Sequence, residues 1–206
     1  MKTFQLASAV TPSSFNADSR TFEVVFYSGA TVPRFDWMRN EEYDLKFEVS
    51  DAAVDMSRLK AGAPFLRDHA ATLEDTIGVV EDAWLQGGKG YARIRMSQKE
   101  DAEEIAKDIQ DGIIRSVSMG AASLEEEVTR NKAGRKLVTV TRWLPMEISA
   151  VAIPADMKAQ VLSADTPEFF ASAARGLIAD EIAKLRPALV EQITASVRLA
   201  MNPKGR

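Results

Sequence analysis

The stretch KLVTVTRWLPMEISAVAIP, residues 136–154, contains two runs, KLVTVTRW (136–143) and EISAVAIP (147–154), that are β-branched or alternate between apolar and polar residues. Both runs predict strands. The same character recurs in four earlier runs, which are TFEVVFYS (21–28), YDLKFEVS (43–50), GYARIRMS (90–97) and IIRSVSMGA (113–121). The first 163 residues are therefore predicted to consist mainly of short strands separated by turn residues.

One helix is predicted between Ser97 and Gly112. Ser97 is a suitable N-cap, acidic residues occupy the first turn, and Gly112 is a suitable terminator. The apolar positions of one helical face are Ala102, Ile105, Ala106 and Ile109. Because strands and helices do not alternate regularly, the pattern disfavours a doubly wound sheet. It favours a β-rich α+β fold, either a barrel or a curled antiparallel sheet with inserted helices.

The composition changes near residue 163, where an Ala/Leu/Glu-rich stretch begins. We place the domain boundary there. We predict one domain, large enough for an enzyme, over 1–163 and an amphipathic helical C-terminal tail over 164–206. Pro187 is expected to kink or split the tail helix. The apolar stripe of the tail is formed by Phe170, Ala174, Leu177, Ile178, Ile182, Leu185, Leu189, Ile193 and Val197. Such a stripe packs either against its own domain or against a partner helix or a second copy.

Composition restricts the classes of function that remain. The chain has no cysteine, so a thiolate nucleophile, a disulfide framework and cysteine-ligated metal sites are excluded, and a reducing compartment is expected. No run of apolar residues is long enough for a membrane span or a secretion signal, so a soluble protein without a membrane partner is expected. The net charge of −4, with both signs scattered along the chain, argues against wrapping of nucleic acid.

Histidine occurs once, so any mechanism that uses an imidazole must use His69. Ser118 shares one face of an extended strand with Ile114, Ser116 and Gly120, and a serine hydroxyl in such a place can be a nucleophile. Each residue also has an ordinary structural explanation. A lone histidine is more often a surface residue, and small polar residues often line a solvated strand face.

Glu147 begins the run EISAVAIP, at the mouth of a strand that is otherwise apolar. A carboxylate there can accept the ring N–H of a histidine, which fixes the tautomer and stabilises the imidazolium formed during catalysis. The ordinary alternative is a solvent-exposed glutamate at a strand end.

Three segments occur in a characteristic order. His69 precedes a short loop that ends at Ile77-Gly78, a helix and glycine lead to Ser118-Met119-Gly120, and Glu147-Ile148-Ser149 leads to Pro154-Ala155. Together they resemble the prohead maturation serine proteases of tailed phages, relatives of the herpesvirus assemblins, over roughly residues 20–160.

The resemblance implies roles, a fold and a biology. It makes His69 the general base, Ser118 the nucleophile and Glu147 the acid that orients the base. The implied fold is a small closed or orthogonal β-barrel with flanking helices, and no cofactor or metal is implied. The implied function is that of an endopeptidase that trims segments of the scaffold or major capsid protein. It is expected to act inside the procapsid, in the host cytoplasm. Ala121 departs from the family pattern, in which an aromatic residue often follows the Ser-x-Gly, and this difference is expected to alter a binding pocket.

Several alternatives remain open at this level. Ser116 is the rival nucleophile, and Asp68 is the rival acid, although its side chain points away from His69 if residues 67–69 are extended. Backbone N–H groups near Met119 and Gly120 are candidates for the oxyanion hole, and three arginines could contribute through water, namely Arg115, Arg135 and Arg142.

Two other functions compete with the endopeptidase. A catalytically inactive capsid-assembly or scaffold protein with the same fold, whose C-terminal helices bind capsid or portal proteins, is the main alternative. Under either function a homo-oligomer can form through the C-terminal helices. A metal-dependent hydrolase is disfavoured because the chain has one histidine, no cysteine and no compact cluster of carboxylates near the predicted site.

Overall fold

The computed structural model describes residues 14–130 and 134–162. In these residues the chain forms nine strands and two helices. The strands are β1 (Thr21–Tyr27), β2 (Val32–Asp36), β3 (Glu41–Phe47), β4 (Pro64–Arg67), β5 (Thr76–Gln86), β6 (Lys89–Met96), β7 (Val117–Arg130), β8 (Lys136–Ala150) and β9 (Gln160–Val161). The helices are α1 (Ser57–Lys60) and α2 (Glu100–Gln110).

All nine strands belong to one sheet with the neighbour order β2-β3-β8-β4-β5-β6-β1-β9, and β7 pairs with β8. β3 and β4 run parallel to β8, whereas β7 is antiparallel to it. On the far side, Gln160 of β9 forms a bridge with Ser116, and the Val161 N–H donates to the Arg115 carbonyl at 2.8 Å. The sheet therefore curls into a half-barrel, with β9 beside the start of β7.

The predicted β-rich α+β fold is confirmed as this curled sheet with few helices. Closure of this sheet into a complete barrel stays a prediction. The predicted tail, residues 164–206, lies outside the described residues, and the chain divides into units Met1–Ala164 and Asp165–Arg206. Within the described ranges, no helix is long and apolar enough to cross a bilayer.

The core is formed by large apolar side chains from several strands together with one face of α2. Phe22, Phe26, Phe65 and Trp143 are at most 1% exposed, and burial of each such side chain contributes about 1.5–3 kcal/mol. The buried residues of α2 are Ala102, Ala106 and Ile109. The apolar face predicted for this helix is thus the face that packs into the core.

Several element boundaries differ from those predicted, and β7 extends to Arg130, well beyond the predicted end at residue 121. The runs 136–143 and 147–154 form one strand, β8, which ends at Ala150. The run 113–121 becomes a strand only at Val117, because the segment after Gly112 is still leaving the helix. The helix begins at Glu100 with Lys99 in the N-cap position, so the expected Ser97 cap is wrong; the Ser97 hydroxyl accepts a hydrogen bond from the Lys99 N–H instead.

Candidate active site

His69 lies immediately beyond β4, which runs parallel to β8 with Leu66 beside Ser149 and Arg67 beside Ala150. Asp68 and His69 have φ angles of 45° and 61°, so the chain turns through the left-handed region directly after the strand. The Asp68 N–H donates to the Ala150 carbonyl at 3.0 Å, which anchors this turn to β8. The turn places the imidazole beside the C-terminal part of β8.

The left-handed turn corrects one premise of the sequence analysis, namely that residues 67–69 could be extended. Asp68 and His69 are therefore not neighbours on an extended strand, and the alternation of side chains along a strand does not explain why Asp68 is not the partner of the imidazole. The carboxylate that contacts the ring belongs to Glu147, whose Oε1 lies 2.7 Å from His69 Nδ1. The His69 side chain is 43% exposed and that of Glu147 is 14% exposed, so the pair is shielded on the carboxylate side and open to solvent on the imidazole side.

Ser149 links the two members of this pair and was not assigned a role from the sequence. It is fully buried and lies two residues after Glu147 on β8, which places both side chains on the same face. Its hydroxyl donates to Glu147 Oε2 at 2.5 Å and accepts a hydrogen bond from the backbone N–H of His69 at 3.2 Å. The Glu-x-Ser spacing was the available signal, because residues i and i+2 of a strand share a face.

Ser118 lies on β7 directly opposite Ser149, so its side chain is on the same face of the sheet as Ser149 and Glu147. It is 7% exposed. Among the described residues, no hydrogen bond joins the Ser118 hydroxyl to His69, and no group bonds to the Nε2 atom of the ring. The structure thus joins His69 to Glu147 and places Ser118 on the adjacent strand without a hydrogen bond to either.

Gly120 is opposite Glu147 in the same strand pair, and the Glu147 carboxylate passes directly over it. A Cβ at this position would collide with Glu147 Oε1. A glycine beside a nucleophilic serine can serve the close approach of a substrate backbone. The contact with Glu147 gives a different reason for glycine here, since only a residue without a side chain leaves room for the carboxylate.

The rival nucleophile, Ser116, lies before the start of β7, where it bridges to Gln160, and it lines a depression of about 580 Å³ together with Asp68 and Arg115. Ser118 lines a separate cavity of about 240 Å³. The two serines therefore face different spaces.

The three arginines considered for the oxyanion hole all have partners elsewhere. Arg115 Nε donates to the Gly112 carbonyl at 2.6 Å. Arg135 pairs with Glu42 at 2.8 Å, and Arg142 pairs with Glu125 at 2.7 Å. No described contact brings any of these guanidinium groups to His69 or Glu147. In the part of the chain that the structure describes, no group of three or more histidine, aspartate or glutamate side chains could hold a metal ion.

Comparison with known proteins gives three similarities. A family model described as caudovirus prohead serine protease matches residues 48–169, more than half of the chain. The major capsid protein of Halomonas phage phiHAP-1 is 41% identical over 109 residues, which are 52% of this chain and 18% of that protein. The solved structure of the bacteriophage T4 capsid assembly protease aligns over 61% of this chain and 96% of that chain, with 13% sequence identity and a TM-score of 0.32.

Proposed function

Because the chain belongs to the caudovirus prohead serine protease family, we propose that it is an endopeptidase that uses Ser118 as nucleophile, His69 as general base and Glu147 as the acid that orients the base. The observation that carries this proposal is the 2.7 Å contact between His69 Nδ1 and Glu147 Oε1, with Ser118 on the same face of the next strand. A carboxylate on one ring nitrogen leaves the other nitrogen for the serine proton, which is the arrangement that a catalytic triad requires.

The proposed reaction has two steps. Ser118 Oγ attacks the carbonyl carbon of the scissile bond while its proton passes to His69 Nε2, and the Nδ1–H bond to Glu147 stabilises the imidazolium. The imidazolium then gives the proton to the leaving amine, which leaves an acyl-enzyme on Ser118. A water molecule, deprotonated by the same nitrogen, hydrolyses that ester and restores the serine. Catalytic hydrogen bonds are often formed only with substrate, so the unbonded Ser118 hydroxyl is compatible with this role.

The Met119 N–H is the better of the two proposed oxyanion donors. The Val117 N–H donates to the Ala159 carbonyl, away from β8. Successive residues of a strand direct their N–H groups to opposite edges, so the Met119 N–H lies on the same edge as that of Val117, while that of Gly120 faces β8. Among the described residues β7 has no strand partner on that edge, which leaves the Met119 N–H available to a developing oxyanion.

Ser149 is proposed as a positioning residue, and its replacement is the first test. Ser149→Ala removes the bond to Glu147 Oε2 and leaves the backbone N–H of His69 without its acceptor, so both the carboxylate and the turn that carries the imidazole are held less firmly. We expect kcat to fall about 10²-fold with little change in KM, together with about 1–3 kcal/mol of lost stability for the unpaired buried group. Steady-state kinetics and thermal unfolding measure the two effects.

The matched variant is Ser149→Thr, which keeps a hydroxyl and should recover most of kcat. Wild-type kcat in Ser149→Ala would show that the hydroxyl serves packing only.

Replacement of Glu147 by glutamine tests the acid. Glu147→Gln keeps the shape of the side chain but removes the negative charge that stabilises the imidazolium and fixes the tautomer. We expect kcat to fall by about 10²- to 10⁴-fold, with residual activity because the nucleophile remains. The control is Glu125→Gln on β7, where the glutamate pairs with Arg142 on the protein surface. Equal cleavage by both variants would remove Glu147 from the mechanism.

The substrates are proposed to be segments of the scaffold or major capsid protein of the same phage, cleaved inside the procapsid in the host cytoplasm. The direct experiment incubates the purified full-length chain with these two proteins and identifies the products by mass spectrometry. Fragments with a small number of defined ends are expected. Unchanged substrates under conditions that support folding of both partners would contradict the proposal.

A second function remains, that of a catalytically inactive capsid-assembly protein, and one observation favours it. The relative that shares 41% identity over 109 residues is itself described as a major capsid protein. Assembly of procapsids with unprocessed proteins by the wild-type chain would support this alternative. Docking or self-association through residues 164–206 belongs to both functions, and it stays a prediction because the tail lies outside the described residues.

We also propose that the curled sheet is the herpesvirus-protease-like barrel that the resemblance implies.

A further inference from the structure

The cavity that Ser118 lines has a volume of about 240 Å³ and mostly apolar walls. Its aromatic walls are Phe26 and Tyr27 at the end of β1 and Phe47 at the end of β3. Met119 and Ala121 of β7 complete the wall next to Ser118. Neighbouring residues of a strand point to opposite faces, so these two side chains lie on the face opposite that of Ser118 and Glu147.

Two polar residues of the cavity wall, Tyr27 and Asp156, already have partners, whereas the exposed side chain of Arg34 on β2 and the Ser118 hydroxyl, which also line it, make no described hydrogen bond. The Tyr27 hydroxyl donates to the Ala30 carbonyl at 2.8 Å and accepts the Phe47 N–H at 2.9 Å. Burial raises the pKa of Tyr27, and the nearby Asp156 charge adds to this effect, so the phenol is neutral. Asp156 is 7% exposed, and its carboxylate accepts hydrogen bonds from the Ser28 N–H, the Ser28 hydroxyl and the Lys158 N–H at 2.7–3.0 Å. The space between the aromatic walls is therefore mostly apolar, with Arg34 and Ser118 as its remaining polar lining residues.

The cavity lies between β7 and the ends of β1 and β3, and beyond Val117 the edge of β7 that faces away from β8 has no strand partner among the described residues. A second depression, of about 340 Å³, shares Leu45, Phe47 and Ala121 with it and lies over the face that β3, β8 and β7 form together, as far as Glu126. From Met119 to Glu126 an extended strand covers about 23 Å, which is long enough for several residues of an extended peptide. Extended peptides bind unpaired strand edges through main-chain hydrogen bonds, and pockets for alternate side chains then provide specificity.

We propose that this cavity is the specificity pocket of the enzyme and that it accepts a large apolar side chain, such as leucine, methionine or phenylalanine, of a substrate peptide that lies along the free edge of β7. An added strand alternates its side chains, so residues on one face lie near Ser118 while residues on the other face enter the cavity. The small side chain of Ala121 keeps the mouth of the cavity open. This inference rests on the proposed endopeptidase function, because only then is the bound peptide a substrate.

The test uses peptides from a digested bacterial proteome as the probe. The full-length wild-type chain is incubated with this library, and the new ends are identified by mass spectrometry. We expect leucine, methionine or phenylalanine to be enriched about tenfold or more at one fixed position within three residues of the cut. Ala121→Phe fills the mouth of the cavity and should abolish that enrichment, whereas Ala122→Phe, on the opposite face of β7, should keep it. Enrichment of a charged residue, or no enriched position, overturns the proposal.

A binding experiment separates this inference from the enzymatic function. Immobilised Ser118→Ala protein is exposed to the same library and the retained peptides are sequenced. Retention of peptides rich in large apolar residues, lost in the Ser118→Ala/Ala121→Phe double variant, supports the pocket even if the wild type cleaves nothing, in which case only the proposed protease function fails. If the wild type cleaves peptides but retention and cleavage are insensitive to Ala121→Phe, the protease function stands and the pocket is overturned.

Discussion

Replacement of Ser118 by alanine should reduce peptide-bond cleavage by at least about 10⁴-fold, because the acyl-enzyme can no longer form. The variant should remain folded. The Ser118 hydroxyl has no described hydrogen-bond partner, and the residue pairs with Ser149 through the backbone of the strand ladder, so alanine keeps that pairing. Cleavage of the scaffold or capsid protein, measured by product formation, and thermal unfolding are the two measurements.

The matched control for this variant is Ser116→Ala. Ser116 lies on the same alternating segment but lines a different depression, so its loss should leave the rate of cleavage within a factor of about two. If Ser116→Ala is inactive and Ser118→Ala is active, the nucleophile has been assigned to the wrong serine. If both variants process substrate at the wild-type rate, the serine-protease mechanism itself is wrong.

Replacement of His69 by alanine should have an effect of the same order as Ser118→Ala, about 10⁴-fold or more in kcat. No other histidine exists in the chain, so no second imidazole can take over as base. Triad members act as a unit, and the His69→Ala/Ser118→Ala double variant should therefore be no less active than either single variant. Because the ring is 43% exposed, added imidazole can reach the vacated space and should restore part of the activity of His69→Ala.

The backbone at this position requires a separate control. His69 has a φ of 61°, and asparagine tolerates the left-handed region better than alanine does. His69→Asn should therefore lose catalysis as completely as His69→Ala while retaining more of the thermal stability. Substantial cleavage by His69→Asn, which has no group that can act as a base near neutral pH, would remove His69 from the mechanism.

Local sequence patterns predicted several features of this protein correctly. The alternating and β-branched runs identified the strands that carry Ser118 and Glu147, and the spacing of Ala102, Ala106 and Ile109 identified the buried face of α2. These predictions hold because the period of side-chain direction along a strand or helix is a property of the backbone itself. Strands β2, β4, β5 and β9 were not predicted. Pairing with neighbours, rather than their own composition, makes strands of the short segments β2, β4 and β9, whereas β5 contains β-branched residues of its own, among them Ile77, Val79 and Val80.

The order of short motifs around His69, Ser118 and Glu147 identified the family from the sequence alone, and the single histidine left no choice of imidazole. The relations between these residues required the tertiary structure. The left-handed turn at Asp68 and His69, the contact of His69 with Glu147 rather than Asp68, and the bridging hydroxyl of Ser149 all depend on β4 lying parallel to β8. The sequence determines which side chains share a face of one strand. Only the pairing of β4, β7 and β8, which are distant in the chain, decides which faces meet, because that pairing is set by the packing of the whole core.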